Sequence, residues 1–296
     1  MARRPASKRS KVFEIVTSGV LLVIALGCLY PFVYVLATSL SDNVSVTSGR
    51  VWLWPENVNI YTYVHILTNP NLGLPRAVGN SLLYTVVGTV TAVLLTYVTA
   101  FVLSRRKFVA RHAIMFVFVA TWIFDAGIVP QYLVFEKLGF VNNWLVMVIP
   151  PAVGTFLLII TRSFLFSIPE ELEEAAAIDG ANDFTVMSRV YFPLSKAVIA
   201  TIAVFYAVQT WNSFLIPLIY LREQALQPIQ LVLYRLLVAD DPSAVNFQQV
   251  VINGVQIGPP NIRAAVMVLA IVPIVLIYPY AQRYFAKGMM IGSVKG

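Results

Sequence analysis

Uninterrupted apolar stretches dominate the chain. Five carry no charged residue: Ile15 to Ser41, Ala77 to Ser104, Leu138 to Thr161, Ala197 to Leu221 and Ala264 to Gln282. A sixth, His112 to Phe135, is interrupted only by Asp125. A helix that crosses a bilayer needs roughly 20 mostly apolar residues, because the hydrocarbon core is about 30 Å thick and each helical residue rises about 1.5 Å. The pattern therefore predicts an all-α polytopic membrane protein with six transmembrane helices. The first stretch follows a basic head (Arg3, Arg4, Lys8, Arg9, Lys11). It is longer than the apolar core of a secretory signal, about 7–15 residues, and no small-x-small cleavage site closes it, so it reads as a retained span. The expected organisation is one transmembrane domain over residues 1–296, with a head (1–14), a six-span bundle (15–285) and a tail (286–296).

Composition agrees. Of 296 residues 58% are hydrophobic and 12% charged, whereas soluble domains average about 45–50% apolar and about 25% charged. A chain so poor in charge cannot cover a water-facing surface. The single cysteine, Cys28, excludes a disulfide scaffold and reads as a small packed residue. The formal charge of +7 would suit a nucleic-acid partner, but the positions of the basic residues explain it better. With both termini and the loops after spans two and four in the cytoplasm, 15 of the 21 Lys and Arg residues fall inside, the bias that orients membrane proteins. No aromatic-basic recognition module accompanies them, so no nucleic-acid partner is expected. Two outer loops are long. Asp42 to Arg76 holds Trp52, Trp54, Tyr61 and Tyr63, and Arg222 to Arg263 holds the apolar run Leu231 to Val238, broken by Arg235. Both are expected to form interfacial helices.

One inner loop, residues 167–193, breaks the charge bias. It carries Glu170, Glu171, Glu173, Glu174, Asp179 and Asp183. Ser167-Ile168-Pro169-Glu170 reads as a capped helix start, with acids at the positive end of the helix dipole. Leu172, Ala175, Ala176 and Asp179 then form a narrow stripe of mostly small residues, and Gly180 suits a helix stop. Asp183 can cap a second short helix with Phe184, Met187 and Tyr191 on one face, and Pro193 separates it from the fifth span. From local physics two readings stand level: a solvated hairpin packed on its own bundle, or a docking element gripped by a partner.

Glu174-Ala175-Ala176, Gly180 four positions later, and Val190-Tyr191-Phe192-Pro193 after nine more residues resemble the EAA loop of binding-protein-dependent ABC importer permeases. Trp211-Asn212-Ser213-Phe214 and the tail Lys287 to Gly296 are similar to sugar-importer permeases related to the maltose permease. Val51-Trp52-Leu53-Trp54-Pro55 and Gly127 to Leu133 look like the subgroup that handles oligosaccharides of complex or uronic-acid polysaccharides. The resemblance implies a type I importer permease fold whose hairpin is a cytoplasmic coupling helix-turn-helix, with Glu173, Glu174, Ala175, Ala176, Asp179 and Gly180 engaging the ATPase. Lys295 and Gly296 would reach the ATPase interface, or simply fray. It implies as partners a second homologous permease, two ATP-binding subunits and an extracytoplasmic solute-binding protein, in a bacterial inner membrane, with an oligosaccharide as cargo. No G-x4-G-K-[ST] loop is present, so this chain is expected to be no enzyme and to bind no cofactor, with ATP and Mg held by the partners.

For the substrate route, polar groups inside apolar spans are the candidates, since they face a bundle interior or a watery cavity. Tyr206, Gln209, Asn212 and Ser213 lie three or four apart on one face of the fifth span. They could meet a sugar or bond neighbouring helices. Asp125 could bind solute, meet a cation of the partner permease, or face water at a kink prepared by Gly127 and Pro130. A secondary transporter would call for two related halves with broken spans and an ion site; an intramembrane enzyme needs an acid-base or metal constellation that the spacing lacks. A peptide or amino-acid permease stays open, because the acidic loop is common to several substrate types.

Overall fold

The computed structural model describes residues 8–69, 72–237 and 250–292. In chain order the first helices are α1 (Lys8–Leu40), α2 (Asn43–Thr47), α3 (Tyr61–Thr68), α4 (Leu74–Ser104), α5 (Arg111–Ile123), α6 (Ile128–Lys137) and α7 (Thr155–Phe166). They are followed by α8 (Glu171–Ile178), α9 (Asp183–Thr185), α10 (Phe192–Leu194), α11 (Lys196–Trp211), α12 (Leu215–Tyr220), α13 (Ile229–Leu237) and α14 (Pro259–Gly292). One small hairpin, β1 (Val250–Ile252) and β2 (Val255–Ile257), precedes α14.

Among the described residues, three helices are long and apolar enough to cross a bilayer: α1 from Phe13, α4, and α14 as far as Pro279. The count rises to five if each of two bent pairs is taken as one crossing. In one pair α5 and α6 meet at 117°; in the other the segment Asp183–Leu194 meets α11 at 82°. Besides His112 to Phe135, divided into α5 and α6, two further apolar stretches are not single helices. Leu138 to Thr161 contains a 3-10 turn at Trp144–Met147, and α7 begins only at Thr155. Pro150 and Pro151 intervene; neither can donate the N–H that a continuing helix requires. Ala197 to Leu221 is divided into α11 and α12 by residues 212–214.

The chain forms two compact units. The first takes residues 1–72 and 239–271. Here the end of α1 is closed by a side chain distant in sequence: the Asn261 amide donates to the carbonyls of Thr38 (3.1 Å), which also takes the Ser41 N–H (3.4 Å), and Ser41 (2.8 Å). β1 and β2 pair antiparallel, Val250 opposite Ile257, around an Asn253-Gly254 turn with φ of +52° and +82°. That is the left-handed geometry a two-residue hairpin needs.

The second unit takes residues 73–238 and 272–296 and is organised on α4, against which α11, α7, α13 and α5 pack. The buried face of α4 carries small or hydroxyl residues at helical spacing, Ala77, Ser81, Thr85, Gly88, Ala92, Thr96 and Ala100, together with the larger Tyr84, Tyr97, Phe101 and Leu103. At Gly88 a β-carbon would lie 3.5 Å from the Thr210 methyl and 3.6 Å from the Met147 carbonyl, so α11 comes close because nothing larger intervenes. The run expected to be an interfacial helix after span five does form α13. Its Ile229, Leu231, Val232 and Leu236 are buried against the unit. Ser81 accepts from the Ile229 N–H (2.8 Å), and Asn80 donates to the carbonyls of Ala225 and Gln227 (2.9 and 3.2 Å).

Candidate functional site

The acidic loop folds as a helical hairpin of α8, α9, a π-turn (Val186–Tyr191) and α10. Its start differs from the capped one the sequence suggests. Ser167 donates back to the Phe164 carbonyl (2.7 Å) and so closes α7, while α8 begins after Glu170 with no side-chain cap. The hydroxyl is taken by the nearer carbonyl, a common fate of Ser at a helix end. The cap of the second helix is likewise Asn182, whose side chain accepts from the Thr185 N–H (2.8 Å), rather than Asp183. The stop at Gly180 holds as expected. Gly180 has φ +81°, its N–H reaches the Ala177 carbonyl (3.1 Å), and the Ala181 N–H reaches that of Ala176 (2.9 Å). This paired closure requires a left-handed residue.

What fastens the hairpin is Arg105, the residue after α4. Its guanidinium forms an ion pair with Glu173 on α8, lies 3.5 Å from Asp183 on α9, and stacks over the rings of Phe101 (5.0 Å) and Tyr191 (5.8 Å). The Tyr191 hydroxyl donates to Glu173 (3.4 Å). Burial, then the Glu173 carboxylate, push that hydroxyl's pKa up, against a pull from Arg105. Tyr97 on α4 adds a bond to the Met187 carbonyl (2.9 Å). A charge taken from water needs this kind of paired, hydrogen-bonded setting. One cation thus holds both arms of the hairpin, on either side of the Gly180 turn. In the sequence Arg105 is one of the basic residues after the second span that bias orientation, and its separation from Glu173 by 68 positions hides the pairing.

The acids of the loop therefore divide. Glu173 is buried and turned inward, whereas Glu174, Ala175, Asp179 and Gly180 are exposed and Ala176 is half-buried. Beside them stand bare apolar side chains, Leu172, Ile178 and Phe184, the last two 87% and 70% exposed.

The fifth-span residues divide too. Gln209, Asn212 and Ser213 line a cavity of about 300 Å³ with Thr210, Phe214, Met147 and Pro151. No lining residue is charged. The break after α11 creates this wall, since Asn212 and Ser213 lie where the helix has ended. Tyr206 does not line it. Its buried hydroxyl pairs with Thr96 of α4 (2.7 Å) and accepts from the Gly154 N–H (2.8 Å), the helix-bonding alternative. Asp125 is exposed at the α5–α6 break, where it accepts from the Gly127 N–H (3.0 Å); Gly127 has φ +80°. Lys295 and Gly296 lie outside the described residues.

A mostly helical chain with several bilayer-length apolar helices, a hairpin clamped to the end of α4 and an uncharged, largely apolar cavity is a multi-pass membrane protein. The profile of the family described as "Binding-protein-dependent transport system inner membrane component" matches residues 72–291, and the chain belongs to that family. It is 35% identical over 290 residues to the polygalacturonan/rhamnogalacturonan transport system permease protein YtcP of Bacillus subtilis (strain 168), covering 97% of this chain and 100% of that one. Protein LplC of the same organism is 35% identical over 292 residues, covering 98% and 97%. A chain of the crystal structure of a bacterial ABC transporter involved in import of the acidic polysaccharide alginate superposes with a TM-score of 0.87 at 30% identity, covering 96% of this chain and all of that one. The fold is that of a type I ABC permease.

Proposed function

We propose that this chain is one half of the membrane channel of an ATP-driven importer and moves an oligosaccharide delivered by an extracytoplasmic solute-binding protein. ATP and Mg belong to two partner subunits, and a second homologous permease completes the channel; this chain binds no cofactor. The carbohydrate assignment, in preference to peptides or amino acids, follows relatives whose names specify pectic polymers and alginate. The chain crosses the inner membrane six times with both termini in the cytoplasm, as a single transmembrane domain. α1, α4 and α14 are continuous crossings, and broken or shorter helices make the rest.

The clamped hairpin carries this reading. A loose loop would absorb the motion of a motor; one whose two arms are held by Arg105 passes it to α4. Shifting a two-state equilibrium from 1:99 to 99:1 takes about 5.5 kcal/mol of differential interaction, so the docking contact has to hold in both states. The exposed face, with Glu174, Ala175, Ala176, Asp179, Gly180 and the bare Ile178, meets the ATPase, while Glu173 acts from behind as an internal strut. The tail residues Lys295 and Gly296 reach the same interface. Gln209, Asn212 and Ser213 supply neutral hydrogen-bonding groups to the sugar route, and Asp125 marks a hinge in its wall.

The test is uptake by the assembled importer. Gly180→Trp puts a side chain on a left-handed residue, costing roughly 1–2 kcal/mol of backbone strain, and places bulk on the docking face. Uptake is expected to disappear while the external protein still binds solute. Normal uptake in that variant would dispose of the coupling role.

A further inference from the structure

In the loop that follows α1 the usual sorting of side chains is reversed. Ser41, Asn43, Ser45, Asn59 and Thr62 are buried, while Trp52, Leu53, Trp54, Val58 and Ile60 are exposed, the two tryptophans at 68% and 81%. Ser41, Ser45 and Asn59 are bonded within the loop, whereas Asn43 Oδ1 and Thr62 Oγ1 have no hydrogen-bond partner among the described residues. Ser41 donates to the Ala37 carbonyl (2.7 Å) and accepts from the Glu56 N–H (3.1 Å), and Asn57 donates to Asp42 (3.2 Å) and Ser45 (3.4 Å). The Trp52 indole donates to the Gly49 carbonyl (2.9 Å), so its ring needs no water partner. The Asn59 N–H bonds the Leu40 carbonyl (2.9 Å), which returns the far end of the loop to the level where α1 ends.

In water this arrangement is the costly one, since apolar area left exposed forfeits about 25 cal/mol per Å². At the boundary of a bilayer it is the favourable one: indole rings and aliphatic side chains enter the headgroup zone, while Ser41, Asn57 and the Trp52 indole find their partners within the loop. The α1 side chains from Phe13 to Leu29, most of them apolar, are exposed as well. We propose that residues 52–60 form a lipid-docking surface that seats in the bilayer leaflet at the end of α1 and fixes that helix's depth. The inference does not rest on the transport reading.

The full chain, with Cys28→Ser and either Trp54→Cys or Ile60→Cys, is labelled with a nitroxide. It is placed in nanodiscs of phosphatidylethanolamine and phosphatidylglycerol together with its partner subunits. Collisions with oxygen, which concentrates in lipid, are expected to exceed those with an aqueous nickel chelate several-fold at both sites, and the ratio to reverse at Arg50→Cys. A nickel-dominated ratio at residues 54 and 60 overturns the proposal. So does nickel contact that vanishes only when the solute-binding protein is added, which gives the surface to that protein instead. In unlabelled chains, brominated lipid should quench indole emission, and Trp54→Phe should remove part of that quenching; no change on this substitution also counts against lipid docking.

Discussion

Helices α1 and α4 are alike in length and both strongly apolar, yet 6% of the most apolar stretch of α1 is buried inside the chain, against 39% for α4. Hydropathy does not separate them. What does is the type of residue on one face: between Ala77 and Ala100 α4 presents mainly small and hydroxyl residues to its neighbours, with Tyr84 and Tyr97, while the described side chains of α1 are largely exposed aliphatic ones, with Ala37, Thr38 and Ser39 buried near its end. Where lipid is as apolar as leucine, burying leucine gains little, and close backbone approach with hydrogen bonds decides which helix is central. Gly19 and Gly27 of α1 have nothing against them, whereas Gly88 of α4 faces Thr210 and Met147.

The comparison can be broken at several points. The largest effect is expected at the end of α4, where Arg105→Ala strands the buried Glu173. Removing one partner of a buried pair costs about 3–5 kcal/mol, and unfolding in lipid nanodiscs should show it. Replacing both residues by apolar ones, Arg105→Met with Glu173→Leu, should restore most of that stability; it should also leave solute uptake impaired if the ion pair transmits motion. Next comes Gly88→Leu, whose extra bulk forces α11 away at a cost of about 1–3 kcal/mol; Gly88→Ala, meeting only ordinary contact distances, should be tolerated. Tyr206→Phe should cost about 1 kcal/mol, the scale of an interhelical hydrogen bond in a membrane, with an unchanged choice of sugars. Gln209→Ala or Asn212→Ala should instead alter the relative uptake of different oligosaccharides and leave stability alone. Smallest is Gly27→Leu in α1, expected within about 0.5 kcal/mol. A loss as large as that of Gly88→Leu in the isolated chain would mean that α1 is packed after all.

Much of this was legible in linear order. Length and hydropathy sufficed for a helical membrane protein, and the spacing of Glu174, Ala175, Ala176 and Gly180 pointed to the family to which the chain belongs. The Gly180 stop was readable because only a left-handed residue closes a helix that way. The caps at Ser167 and Asp183 were misread, since a hydroxyl or carboxylate near a helix end has several partners within reach and sequence does not rank them. The breaks within the apolar stretches were also hidden: Pro150 and Pro151 announce one, but residues 212–214 contain no obligatory helix breaker.

The sequence by itself determined which segments are apolar, where the acids cluster and where the backbone must turn, because these depend on residue type and short spacing. Only the tertiary structure decided that Arg105 grips Glu173, that Tyr206 is spent on Thr96 and Gly154, and that Gln209, Asn212 and Ser213 face a cavity. Each is a pairing across tens of residues, and which partners meet depends on which helices can approach closely. That property is set by the small residues of α4 acting together with the surfaces they meet.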